Sequence, residues 1–333
     1  MYFGVEIETL LSLRTISSSK VPDSSDLDAF SAILVKEFNQ TTKGDYQMSS
    51  NVDDAYNGRD ITQEWTITDD ITLKADDALN QWAVEIVSPA LEYNGDSLQE
   101  LSEMWTAIQA ICRVNTNSTC STHIHISPGL NIAWDIRELK RIIQGIIYFE
   151  HAFEALLPDS RRGNEYAKSN RYDNEKLRMK TGRQCCNMIE ACSSNIELAD
   201  LMNNGDRYYG WNFLNLYYGG KATIEFRRAP GVVNHRECES WIHFVLAFVK
   251  ACGTTRKLPE FTPDVKGLYE FICAVLEDGA ETSHSLDNIF MGKSGSKKPI
   301  PIQPLSAENQ QKLSEKMEQD KEKNLMMDKW PIS

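Results

Sequence analysis

The 333-residue sequence lacks the features that mark nucleic-acid-binding, membrane and disulfide-stapled proteins. Positive charge is in deficit: 35 Lys and Arg stand against 48 Asp and Glu, a formal charge of −13, which argues against binding by neutralisation of a phosphate backbone. No apolar run is long enough for a membrane span. The two most apolar stretches, Ile142–Leu157 and Trp241–Cys252, carry Glu150, His151 and Glu154 in one and His243 and Lys250 in the other. The eight cysteines form no CxxC pair, so neither a zinc ribbon nor a redox motif is expected, and most are read as reduced, buried thiols. Met1-Tyr-Phe-Gly-Val-Glu6 has neither the basic nor the apolar character of a signal peptide, and a cytoplasmic location is expected. There is no GxGxxG, and the nearest approach to a phosphate loop, Asp287–Ser294, has an aspartate at the first glycine position with no apolar strand before it.

What is present is the composition of a folded protein, 41% apolar, 25% charged and 9% aromatic. Period-two patterning predicts strands at Tyr2–Thr9, Trp65–Leu73, Trp82–Val87 and Thr122–Ile126, and two more within Tyr208–Arg228 joined by a turn at Gly219-Gly220-Lys221. Helical periodicity covers Leu27–Asn39, with Ser24 or Ser25 as cap. It also covers a segment from Asp96 or Ser97 to Arg113, then Ala133–Leu157, Met188–Met202, Asn234–Cys252 and Asp264–Glu277. The arginine-rich stretch Ser160–Gly182 reads as a long loop. Strands and helices interleave without the regular alternation of a doubly wound sheet, so the class is α+β. Residues 1–290 form the expected catalytic domain. From 291 to 333 the chain turns to a polar linker and a charged helix, Ala307–Lys329, expected to be peripheral.

Three strands repeat one device. Side chains alternate across a sheet, so Glu6 and Glu8 share a face, as do His123, His125 and Ser127, and Glu225 and Arg227, while Val5, Ile7, Ile124, Ile126, Ile224 and Phe226 point the other way. Each pair alone has an ordinary reading as a solvated face or a same-face ion pair. Together, on one sheet, they concentrate charge that metal ions or bound phosphates would make tolerable. Glu85, a lone carboxylate in the apolar strand Trp82–Val87, needs a partner of its own.

Gly4-Val-Glu-Ile-Glu8, Trp82–Pro89, Cys120-Ser-Thr-His-Ile-His-Ile-Ser127 and Thr223-Ile-Glu-Phe-Arg227 resemble, in order, the signature blocks of the amidoligases, a family similar to glutamine synthetase and glutamate–cysteine ligase. The resemblance implies a glutamine-synthetase-like catalytic domain, with a curved, mainly antiparallel sheet, the active site on its concave face and helices behind. It implies an ATP-dependent ligase that joins a carboxylate to an amine, with Mg²⁺ or Mn²⁺ and small-molecule substrates of amino-acid or peptide type. Glu6, Glu8, Glu85, His123 and Glu225 take the metal-ligand positions, His125, Ser127 and Arg227 those that contact nucleotide, and Glu225, Arg227 and Glu85 are the implied catalytic residues. Asp70 and Thr72, Arg161 and Arg162, and Tyr208 and Asn212 fall where substrate contacts are expected. Ser121 stands where the family commonly has glycine. Neither a nucleic acid nor a membrane is expected as partner, and monomer and dimer are both open.

Two other readings compete. His-x-His on a strand also begins the metal site of amidohydrolases, which needs further histidines and an aspartate. His151 and His243 fall in predicted helices and His235 and His284 in loop-like contexts. The other reading is a scaffold that keeps the fold without the chemistry. Cys120, beside the His-x-His strand, has no residue placed to activate it and reads as structural.

Overall fold

The computed structural model describes residues 1–14, 22–23, 26–51, 64–217, 222–254, 257–276, 280–297, 301–302 and 305–327. A long first strand, β1 (Tyr2–Leu13), organises the sheet. It is followed by α1 (Leu27–Thr41), β2 (Met48–Ser50), β3 (Trp65–Thr68), β4 (Trp82–Val87), β5 (Leu91–Glu92), α2 (Gly95–Ile111), β6 (Cys112–Asn115) and β7 (Ser121–Ser127). The second half contains α3 (Ile136–Leu156), α4 (Gly182–Ala191), α5 (Asn195–Asn203), β8 (Trp211–Asn212), β9 (Ile224–Pro230), α6 (His235–Gly253), α7 (Val265–Cys273), α8 (Ala280–Phe290) and α9 (Ala307–Met327). Strand order is β2-β3-β4-β1-β7-β9-β8, with β5 and β6 paired to the two ends of β1. Among the described strands only β2 and β3 pair in parallel, with one isolated parallel bridge between Lys168 and Tyr209, so the mixed α+β class and the mainly antiparallel sheet agree with expectation.

One face of the sheet is apolar because alternation makes it so. Phe3, Val5 and Ile7 of β1, Trp82, Val84 and Ile86 of β4, and Ile124 and Ile126 of β7 are all nearly fully buried. Each such burial stabilises the fold by about 1.5–3 kcal/mol. Helices cover this face. Phe30 of α1 stacks on Trp82 with centroids 4.3 Å apart, and Phe153 of α3 meets Trp211, Phe226, Phe244 and Phe248 within 5.0–6.4 Å.

Several boundaries differ from the sequence reading, for local reasons. The caps assigned to Ser24 or Ser25 lie outside the described residues; Asp26 accepts from the Ala29 amide. Asn94, rather than Asp96 or Ser97, caps α2. That helix stops at Ile111, and the next residues become β6 because they pair with the far end of β1, Leu10 opposite Asn115 and Leu13 opposite Cys112. The strand predicted to reach Leu73 ends at Thr68, since the Asp70 carboxylate accepts from the backbone and hydroxyl of Thr72 at 2.7 Å and turns the chain. Met188–Met202 is two helices, the second capped by Ser194. His235 and His284 lie in α6 and α8. The turn at 219–221 falls outside the described residues. Among the described residues no helix is long and apolar enough to cross a membrane.

Candidate active site

The polar face of the sheet is assembled by register. Glu8 on β1 stands opposite Glu85 on β4, Glu6 opposite His123 on β7, His125 opposite Glu225 on β9, and Glu225 opposite Asn212 on β8. Five strands far apart in sequence thus contribute to one patch. Between the pairs Thr122–Ala229 and Ile124–Phe226, β9 carries one extra residue, so Arg227 and Arg228 together stand opposite His123 and the regular pairing is broken there.

Glu6 is the shared vertex. Its two oxygens meet His123 Nδ1 and His125 Nε2, each at 2.9 Å. Two groups of donor atoms lie within 4.8 Å of one another and could each hold a cation: Glu6, Glu85 and His123, and Glu6, His125 and Glu225. The geometry therefore gives His125 a donor position equivalent to that of His123, where the sequence reading gave it only nucleotide contact. Glu8 is held by the start of β7, its Oε2 accepting from the Ser121 amide at 2.7 Å and the Ser121 hydroxyl at 2.5 Å. Asn212 donates to Glu225 Oε2 at 2.8 Å, so it orients a carboxylate rather than facing open cleft. Arg227 pairs with the other oxygen of Glu225.

Burial works against charge throughout this patch. At Glu6 the neighbouring His125 and His123 overcome it and hold the carboxyl well below the usual range. At Glu225, Arg227 and the histidines do the same. Glu85 goes the other way: burial, then the charges of Glu6, Glu8 and Asp70, push its carboxyl well above the usual value. A carboxylate crowded by three others is what a hard divalent cation relieves, and oxygen-rich donors with one imidazole suit Mg²⁺ or Mn²⁺. The residues present therefore fit such ions.

Beside the patch is a cleft of about 380 Å³, lined among others by Glu8, Asp70, Thr72, His123, Arg161, Tyr208 and Arg227. Arg161 is buried, its guanidinium reaching the Arg227 carbonyl at 3.4 Å and forming no ion pair among the described residues. Arg162 turns away, bonding the Glu154 carbonyl and pairing with Asp159. Its expected role beside Arg161 is thus not supported by its placement. Ser127 shares the polar face at the far end of β7, opposite Tyr2, and lies outside the cleft lining. Cys120 packs with Leu10 and Leu73 in a small apolar cluster, and burial pushes its thiol up, as expected of a structural residue. All eight cysteines are free thiols.

Sequence reasoning missed Ser121 as a holder of Glu8, Tyr166 and Arg207 in the cleft, and Lys316 from α9. The tail helix is not peripheral: Asp320 accepts from Arg207 at 3.1 Å and from the Tyr208 hydroxyl. Ser121 lies within the β7 block but stood out there only as a departure from glycine, Tyr166 and Arg207 lie outside the alternating strand blocks, and Lys316 is separated from them by a linker.

Residues 1–249 match the model of a family described as "Putative amidoligase enzyme", and the chain belongs to that family. The description names an enzyme of the amide-forming ligase kind. The match spans β1 to most of α6 and includes every residue of the acidic patch. No curated protein matches the chain.

Proposed function

We propose that this protein is an ATP-dependent carboxylate–amine ligase of the glutamine-synthetase-like kind, using Mg²⁺ or Mn²⁺ and acting on small carboxylate and amine substrates. In this reading residues 1–290 form the catalytic unit and 291–333 are added to it. The observation that carries the reading is the pair of donor groups sharing Glu6, set beside Arg227. Glu6, Glu8, Glu85, His123, His125 and Glu225 would hold the ions. When bound, these screen the triphosphate and stabilise charge on the transferring phosphoryl group.

The chain's own residues do the rest. Arg227 offers a planar, permanently charged fork to the phosphoryl oxygens, held in place by Glu225. Asn212 fixes Glu225, and Ser121 fixes Glu8, so neither carboxylate must reorganise on binding. Asp70 and Thr72, locked to each other, and Arg161 present polar groups to the substrate from the cleft wall. The substrate carboxylate attacks the γ-phosphorus, the bond to the bridging oxygen breaks, and ADP departs. The amine then attacks the acyl carbon, loses a proton, and expels inorganic phosphate.

The hydrolase reading gains no support from the other described histidines. His151 bonds the Tyr172 hydroxyl at 2.7 Å and His243 packs edge-on against Tyr93 on the helical side. The test is isotopic. With ¹⁸O in the substrate carboxylate, the label is expected in inorganic phosphate with ADP as the nucleotide product. AMP as the sole nucleotide product, or unlabelled phosphate, overturns the mechanism.

A further inference from the structure

The inner stripe of α9 carries Asn309, Leu313, Lys316 and Asp320. Leu313 is buried, and the Asn309 amide reaches the Gly163 carbonyl at 3.4 Å. The remaining anchor is the Asp320 carboxylate, which lies 3.4 Å from Lys316 and accepts from Arg207 and Tyr208. Its side chain is 22% exposed. Burial opposes its ionisation, yet the Tyr208 bond and the charges of Arg207 and Lys316 hold its carboxyl below the ordinary value.

That carboxylate sits at the mouth of the cleft. The Tyr208 ring has the Arg207 guanidinium 5.1 Å from its centroid and that of Arg227 at 5.8 Å, so one aromatic side chain links the outer position to the inner one. Deeper in, Arg161 is only 5% exposed, and its Nε has no hydrogen-bond partner among the described residues. A buried guanidinium that forms no ion pair among the described residues, with the charge of Glu8 acting on it from farther off, is costly. The cleft therefore has more cation than its own carboxylates answer on this side.

We propose that Arg207, Tyr208 and Lys316 form a carboxylate-binding subsite at the mouth of the cleft, and that Asp320 of the same chain fills it until a ligand carboxylate takes its place. The subsite favours substrates with a second carboxylate, distinct from the one activated beside Arg227. This assignment rests on the ligase reading for the name of the ligand, though not for the existence of the subsite. Because α9 is held mainly by polar contacts, an arriving carboxylate exchanges one ion pair for another and frees the helix.

The test uses the full chain with Mg²⁺ and without nucleotide, and the probes are succinate and inorganic phosphate. Asp320→Ala is expected to tighten succinate binding at least tenfold, and Asp320→Glu to leave it within twofold of the parent. Adding Arg207→Gln to Asp320→Ala should remove the gain. In the parent protein, saturating succinate should speed amide hydrogen exchange across residues 307–320. Unchanged succinate affinity in Asp320→Ala, a gain that survives Arg207→Gln, or tightening of phosphate alone would each overturn the assignment. Since no turnover is measured, such a failure is separable from failure of the ligase reading, which is judged by ADP formation.

Discussion

Two neighbouring residues of β9 meet opposite surroundings. Arg228 points behind the sheet, fully buried, where Glu150 and Glu154 on α3 take its two terminal nitrogens at 2.6 and 3.0 Å. Arg227 points forward, beside Glu225 and the other carboxylates of the cleft face. Behind the sheet one guanidinium is met by two carboxylates of the same chain through its terminal nitrogens, although Arg228 Nε and Glu150 Oε2 have no hydrogen-bond partner among the described residues. In front, Glu85 is crowded by like charge and Arg161 forms no close ion pair among the described residues. A charge cluster that closes on itself holds a fold together, whereas one left open on both signs is built to receive something.

The largest effect should come from breaking the closed cluster. Arg228→Ala leaves two carboxylates buried without a counter-charge and is expected to cost about 3–5 kcal/mol in urea unfolding. Gly210→Ala should act on the same residue, because a Cβ there would lie 2.1 Å from Arg228 Nε. Arg227→Lys, by contrast, should abolish turnover with little loss of stability. A comparable loss in both arginine variants would erase the distinction between the two faces.

His243 sharpens it from the same side. Burial without a hydrogen-bond partner for either ring nitrogen lowers its pKa to about 4, from an ordinary value near 6.5. Glu239 at 3.7 Å and Tyr93 are the titratable groups that face it. The unfolded chain binds this proton more readily than the folded one, so stability should fall as pH drops from about 6.5 towards 4, by about 3 kcal/mol in all. His243→Phe should remove that part of the pH slope, read from unfolding curves at a series of pH values. An unaltered slope would rule out a neutral buried imidazole.

On the open face, ligand rather than sequence should complete the charge balance. Mg²⁺ with ATP, each at about one hundred times its dissociation constant, is expected to stabilise the protein by about 2.7 kcal/mol, and either alone by much less. Glu225→Gln should lose this gain and Arg228→Ala retain it. Glu85→Gln should raise the stability of the metal-free protein, since a carboxyl held above its ordinary pKa destabilises the fold as pH rises past the unfolded value. The smallest effect is expected at Ser121→Ala, about 1 kcal/mol, because the backbone amide still holds Glu8.

The contrast also shows what could be read in advance. Period-two alternation places Glu6, Glu8, His123, His125, Glu225 and Arg227 on one face from sequence alone, because a strand leaves its side chains no other choice. Glu150 and Glu154 were legible only as charges that interrupt an apolar stretch, since nothing local ties α3 to Arg228 across 74 and 78 residues. Arg207 and Asp320 were invisible for the same reason. Their pairing spans 113 residues and joins a loop to a helix whose composition reads as solvated. The three-residue β2 and the polar α8 carry too few apolar positions to show a period.

The central place of β1 has a consequence for how the chain is made. This strand leaves the ribosome well before its sheet neighbours, β4, which begins at Trp82, and β7, which begins at Ser121. Until residue 127 has emerged, a twelve-residue strand with an apolar side remains without its full set of partners. Such an edge invites pairing with other chains. The glutamates that alternate along it, Glu6 and Glu8, put charge on that unpaired strand during synthesis, so the residues that serve the finished site also discourage aggregation while it is being assembled.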